Sequence, residues 1–171
     1  MRVFTVGLLV LLALASCGYH VSGHADTLPT TVRTIAVPAF ENVTTRYKLT
    51  QRIPAAITRE FISRTRYHVV ADPDAADAVL RGAVVNFYSY PTIFDPATGS
   101  ASGVQAIVVL DIRLIEKKTG KILFRNSGMA IQGRYEITSD QMAYFEESDT
   151  ALDRVSQDVA RTVVSAILEN F

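Results

Sequence analysis

Between residues 105 and 115 polar and apolar positions alternate almost without a break. Ala106, Val108, Leu110, Ile112 and Leu114 make one wholly apolar face, while Asp111 and Arg113 mark the opposite one. A period of two predicts a strand buried on one side. Residues 78–88 read the same way, with Val79, Arg81, Ala83, Val85 and Phe87 on one side and Leu80, Gly82, Val84, Asn86 and Tyr88 on the other. A third strand covers 122–134, entered through the turn 117–121 with Gly120 at a positive-φ position and interrupted by a bulge at Asn126-Ser127-Gly128. These three strands form an antiparallel meander. Ahead of them, residues 32–37 are β-rich and stop at Pro38, and a polar loop follows over 41–46.

Two stretches switch to the helical period. Leu49, Ile53, Ile57 and Phe61 recur every fourth residue and predict an amphipathic helix of about four turns. Pro54 fits only near a first turn, so the regular helix is expected to start within 50–53, with a kink as the alternative. Thr65, Tyr67 and the β-branched Val69-Val70 mark its end. The second helix opens on a capping box, Thr138-Ser139-Asp140-Gln141, and carries Phe145, Leu152, Val155, Val159, Val163 and Ile167 on one stripe. About 30 residues of helix run roughly 45 Å. Burying each of those side chains contributes on the order of 1.5–3 kcal/mol before entropy is subtracted, so the stripe is core.

The order β-α-β-β-β-α predicts an α/β (α+β) two-layer sandwich, two amphipathic helices packed on one face of a four-stranded mixed sheet. A right-handed crossover is expected between the first two strands. The other face then meets water or a partner, and Ile107, Val109 and Ile115 keep it partly apolar, which suggests a second binding surface. The meander gathers the loop 91–103, the junction 134–139 and the loop 41–48 at one end, with the chain entry and the turn 117–121 at the other. Tyr88, Tyr90, Ile93 and Phe94 at the first end, with Tyr135 in the junction, are the candidate partner-binding residues. The competing expectation is that these rings fold back onto the sheet edge.

The first residues follow neither period. Arg2 precedes an uncharged apolar run over 3–14 and the small residues of Leu14-Ala15-Ser16-Cys17, the layout of a secretory signal peptide. The run falls short of the about 20 apolar residues that a membrane span needs. Leu14-Ala15-Ser16-Cys17 resembles the lipobox of bacterial lipoproteins, which implies cleavage between Ser16 and Cys17 and acylation of Cys17 with palmitate-type chains. An ordinary secretion signal that happens to hold a cysteine is the alternative. The expected division is a signal peptide over 1–16, a lipidated cysteine and tether over 17–31 and a single domain over 32–171. Each buried CH₂ contributes about 0.8 kcal/mol, and two lipid signals already anchor stably, so three chains would hold the protein to its membrane. Gly18 after the cysteine resembles an outer-membrane address under the lipoprotein sorting rule.

Charge and chemistry narrow the classes further. The chain has 17 basic and 17 acidic residues, and losing Arg2 leaves 16 against 17. That balance argues against a sequence-independent grip on nucleic acid. No glycine-rich phosphate loop occurs, and Gly99-Ser100-Ala101-Ser102-Gly103 has alanine where a nucleophile elbow needs serine. His20, His24 and His68 lack metal-site spacing. The aspartates at 72, 74 and 77 invite a calcium reading, but Asp77 and Ala83 stand where a helix–loop–helix calcium loop needs Gly and Glu. A turn whose Asp side chains bond the backbone is expected instead. Neither cofactor nor metal nor catalytic residue is expected, so the chain reads as a binding or assembly protein, not an enzyme.

The blocks Cys17-Gly18-Tyr19-His20-Val21-Ser22-Gly23, Leu28-Pro29 and Ile35-Ala36-Val37-Pro38-Ala39-Phe40-Glu41-Asn42 resemble the LPS-assembly lipoprotein family LptE. So do Arg59-Glu60-Phe61, Ala76-Asp77-Ala78-Val79-Leu80-Arg81-Gly82, Thr119-Gly120-Lys121 and Ala166-Ile167-Leu168-Glu169-Asn170-Phe171. The resemblance implies two helices on a four-stranded sheet and an outer-membrane lipoprotein on the periplasmic side. It also implies a plug inside the β-barrel LptD that helps insert lipopolysaccharide into the outer leaflet. A different class, a lipoprotein regulator or activator of a periplasmic cell-wall synthase, shares small α/β domains but calls for a longer tether than the dozen or so residues here.

Overall fold

The apolar face read at 106–114 lies at the centre of the molecule: Ala106, Val108, Leu110 and Leu114 are fully buried. The computed structural model of the protein describes residues 28–94, 96–97, 99, 101–136 and 141–170. The signal segment with Ser16, Cys17, most of the tether and the capping residues Thr138-Ser139-Asp140 lie outside the described residues.

In chain order the elements are β1 (Thr34–Ala36), β2 (Glu41–Asn42), α1 (Leu49–Arg64), β3 (His68–Val70), a single 3₁₀ turn (Pro73–Ala75), β4 (Ala78–Phe94), β5 (Ala101–Glu116), β6 (Ile122–Glu136) and α2 (Gln141–Glu169). They build one mixed sheet in the order β3-β1-β4-β5-β6, with β2 paired to β4 beyond the end of β1. Both helices pack on the face formed by Leu80, Val84, Val108, Leu110 and Leu114, with Ile53, Ile57 and Phe61 of α1 and Val155, Val159, Val163 and Ile167 of α2 in the same core. The two-layer α+β architecture agrees with the sequence reading; the four-strand count does not.

Two strands account for the difference. Residues 41–46, read as a loop, begin with β2, which pairs parallel with Ala83 and Val84 of β4. Val69-Val70, read only as the end of the helix, belong to β3, which pairs parallel with β1. Strands of two and three residues are too short for alternation to appear; their backbone partners define them. The loop 41–48 accordingly sits halfway along β4, not at its far end.

The start of α1 also differs from expectation. Pro54 lies in the second turn and the helix runs through it from Leu49. Proline leaves the carbonyl four residues earlier without its helical partner. Here that carbonyl, on Thr50, accepts a hydrogen bond of 3.0 Å from the Phe40 N–H. The freed acceptor therefore docks the loop leading into β2, and the Phe40 ring is buried against Gly82, where a Cβ would overlap it. At the C-terminus, the Thr65 N–H and hydroxyl both donate to the Phe61 carbonyl, at 3.0 and 2.6 Å. Lys48 and Arg52 then tie α1 to α2: Lys48 Nζ lies 2.6 Å from Asp149 and Arg52 Nη1 lies 2.8 Å from Asp153.

The aspartate-rich turn works on the backbone. Asp72 caps the 3₁₀ turn by accepting from the Asp74 N–H at 2.8 Å. Asp77 Oδ2 accepts from the Arg33 and Thr34 N–H groups, each at 2.9 Å, and from the Thr34 hydroxyl at 2.8 Å. These bonds, the Arg33 N–H first, hold the Asp77 carboxyl below its ordinary value of 3.8. A folded-state value below the unfolded one means the stabilisation is complete above about pH 3.8 and is lost as pH falls through the folded value. Asp77→Asn is therefore expected to flatten the loss of stability between about pH 4 and pH 2. Equilibrium denaturation across that window checks it; an unchanged slope would remove Asp77 from the account of acid unfolding.

At the base, Leu28 N–H donates to the Tyr67 hydroxyl at 3.1 Å and the Thr31 hydroxyl donates to the buried Glu116 at 2.6 Å. Glu116 also receives the Thr119 hydroxyl of the turn that leads to β6, where Gly120 has φ 70°. Chain entry and this turn thus share one end, as the meander predicted.

Candidate partner-binding face

β4 and β5 are longer than the core they cover. Residues 91–94 and 101–103, read as part of a loop, continue the ladder, so the connection shrinks to 95–100 and the aromatic stretch becomes one arm of a hairpin. Pro91 is tolerated because β4 pairs only with β5 at that height; β1 and β2 meet it no farther along than Val84.

Three register irregularities decide where the arm points its side chains. Directly opposed residues of antiparallel strands share a face. Up to Val84, paired with Leu110, the core positions of β4 are Leu80, Gly82 and Val84. Val85 then has no counterpart, Asn86 pairs with Val109 and Phe87 with Val108. That single extra residue reverses the alternation read from sequence: Phe87 joins the core side and Tyr88 leaves it. Thr92 is a second extra residue on β4, and Ser102 is one on β5. The outcome is that Tyr88, Tyr90 and Ile93 pair with Ile107, Gln105 and Gly103 on one face of β5, while Phe94, next to Ile93 on β4, pairs with Ala101 beyond the extra Ser102 and falls on the opposite side. Tyr88, Tyr90 and Ile93 lie on the sheet face that the helices leave open, and Phe94 lies at the tip of the arm on the other side.

They are 52%, 44%, 49% and 58% exposed, against 0% for core residues on the other face such as Val108. The reading in which the rings fold back is met only at Ile93, whose side chain lies over Gly103 at the 3.0 Å where a Cβ would stand. Asn86 donates its amide to the Tyr88 hydroxyl, and Gln105 donates to Gln132 across β5 and β6 at 2.7 Å, so the polar groups beside the rings are partly satisfied. Tyr135 is placed differently. Its backbone pairs with Val104, on the register of the helix-covered face, so the strand register separates it from Tyr88, Tyr90 and Ile93; its side chain lies outside the described residues.

Lower on the same face, Ala76 and Val79 pack with Ala36 and the partly buried Val70 in a small satellite cluster. The 3₁₀ segment thus shields the base and leaves the middle and tip open. Among the described residues no helix is long and apolar enough to cross a membrane, and no three His, Cys, Asp or Glu side chains stand together as a metal site.

An open mixed sheet backed by two helices, with an apolar hairpin arm extending from it, defines a small two-layer α+β domain. A family model described as lipopolysaccharide assembly, LptE, matches residues 32–167, and the chain belongs to that family. No curated relative matches the chain. Among solved structures, the fold is similar to uncharacterized lipoprotein B from Nitrosomonas europaea, at 14% identity and a TM-score of 0.52 over 89% of this chain and 96% of that one. It is also similar to a PelC dodecamer from Paraburkholderia phytofirmans, at 20% identity and a TM-score of 0.52 over 83% and 94% of the two chains. At these identities the likeness is one of fold.

Proposed function

We propose that the chain is a non-catalytic outer-membrane lipoprotein, held on the periplasmic side by an acylated Cys17, that plugs an LptD-like β-barrel. In that position it assists lipopolysaccharide insertion into the outer leaflet. Membership of the LptE family supports the process, and one observation carries the docking: Tyr88, Tyr90 and Ile93 stand exposed on the uncovered face, with Phe94 exposed at the tip of the same arm. Large apolar side chains gathered on one surface mark interaction sites.

The ends of the domain suit this placement. Leu28 and Thr31 are fixed at the base, while β4 runs 17 residues to Phe94, roughly 50 Å at strand rise. Eleven residues from Cys17 to Leu28 reach at most about 40 Å. The base therefore stays near the lipid anchor while the arm projects away from it, the arrangement a plug requires.

Gentle solubilisation of outer membranes carrying the tagged chain, followed by affinity capture, tests the proposal. A stoichiometric complex with a large β-barrel is the expected result. Recovery of the free chain alone, or of a periplasmic cell-wall synthase in place of the barrel, would overturn it.

A further inference from the structure

The sheet has open edges at β3, at the arm of β4 and at β6, and they are not alike. β3 closes one side with three residues, too short to template another strand. β4 is open above Val84, where β2 stops, but Pro91 and the extra residues Val85 and Thr92 interrupt that edge. β6 forms the remaining edge. Its lower part skips Leu123 and then Ser127-Gly128 against β5, and Gly128 takes φ 74°. From Met129 to Glu136 it pairs one for one with Leu110 to Gly103, without a shift and without proline. Among the described residues, no backbone group of 129–134 bonds anything beyond β5.

A straight run of open N–H and C=O groups is a template for a further strand, and natural edges are blunted by charge, proline or a bulge. Residues 129–134 carry a single charge, on Arg134. Ala130, Gln132 and Arg134 are exposed on the uncovered face, while Met129, Ile131 and Gly133 alternate with them on the helix side. Gly133 lets α2 come down onto the edge: a Cβ there would stand 3.2 Å from Val155 and 3.4 Å from the Asp158 carboxylate. Arg161 neutralises that carboxylate.

We infer that the free chain pairs with a second copy of itself, β6 against β6, antiparallel about a two-fold axis through Gln132. The residues of the edge select both this occupant and this register. About that axis Ile131 stands opposite Gly133 and Arg134 opposite Ala130, a large side chain against a small one each time. Ile131 of one copy thus fills the gap that Gly133 of the other leaves in the ladder. No charge faces its like. A two-fold one residue higher would set Gly133 against itself, and one residue lower would bring Arg134 against the bulge at Gly128. Directly opposed residues share a face, so all four helices stay on one side of a continuous sheet. The two arms then point in opposite directions, which separates this form of the chain from one that projects its arm into a barrel. The inference stands on the strand register alone and holds whether or not the barrel is the partner.

Sedimentation velocity of the purified full chain in density-matched non-ionic detergent, across a wide range of concentration, tests the pairing. Two copies per particle are expected at the upper end, separating on dilution. Gln132 meets its own counterpart on the axis, so Gln132→Lys and Gln132→Glu each set like charges face to face. Each is expected to weaken the pair at least about tenfold. Mixing the two variants opposes Lys to Glu and is expected to restore the parent's affinity. Gln132 is exposed and accepts one side-chain bond, from Gln105, so both variants should melt near the parent. The restored mixture separates lost pairing from lost fold even where one variant melts lower. Chains that merely share a micelle through their lipids are indifferent to the charge at 132. The inference fails if the parent sediments as a single copy at every concentration, if either variant pairs as the parent does, or if the mixture stays apart. None of these outcomes depends on capture of a barrel, so the two proposals stand or fall separately.

Discussion

A Phe40→Ala variant is expected to lose about 3–5 kcal/mol of folding stability, the range for truncating a buried phenylalanine. Phe40 is 2% exposed and lies in the main core with Leu49, Ile53 and Leu80. It also holds β2 in place: its N–H satisfies the Thr50 carbonyl that Pro54 frees, and its ring occupies the space over Gly82 that a Cβ would otherwise enter. Removing the ring leaves a cavity between α1 and β4, next to Gly82. Urea denaturation should show the midpoint falling with the slope unchanged, the signature of lost stability in a chain that still unfolds cooperatively. A loss under about 1 kcal/mol would mean that the site collapses and that the loop 38–42 is not anchored by this residue.

The second large effect concerns the arm. Replacing Tyr90 and Phe94 together by serine is expected to weaken binding of the barrel about a hundredfold or more, since buried aromatic anchors each contribute about 2 kcal/mol or more at interfaces. The same double substitution should change the melting temperature little. Both side chains are about half exposed, Tyr90 on the face opposite the core and Phe94 at the tip of the arm. Affinity measured on the reconstituted complex and melting measured on the free chain separate the two roles. Unchanged affinity with a clear fall in melting temperature would make the rings structural and move the interface elsewhere.

Much of this arrangement is legible in the sequence, and what is not has identifiable causes. The apolar face of β5 and the stripe of α2 repeat often enough that only one period fits, and both elements fall where the pattern places them. β2 and β3 carry too few residues to show a period, so the sheet is wider than the sequence reading. Val85 is as β-branched as its neighbours, and nothing in its chemistry announces that the ladder skips it. Hence the alternation alone places Tyr88 and Phe87 on each other's faces. Pro91 suggested a loop, because the absence of a second strand beside it cannot be seen in the chain itself. Arg81, Arg113 and Arg125 form a row only through the register that aligns three distant segments. Tyr135 shares an end with the other candidates, but its pairing with Val104 takes it off the face of Tyr88, Tyr90 and Ile93.

The skipped residues Val85 and Thr92 give β4 something akin to a reading frame of two. Substitution at either leaves the frame intact, whereas deleting Val85 would carry Tyr88 and Tyr90 under the helices, and deleting Thr92 would do the same to Ile93. Lengthening or shortening the arm by two residues keeps every ring on its side. The surface is therefore buffered against changes of composition and brittle to changes of length by one, and relatives that retain this face should differ along β4 by even steps.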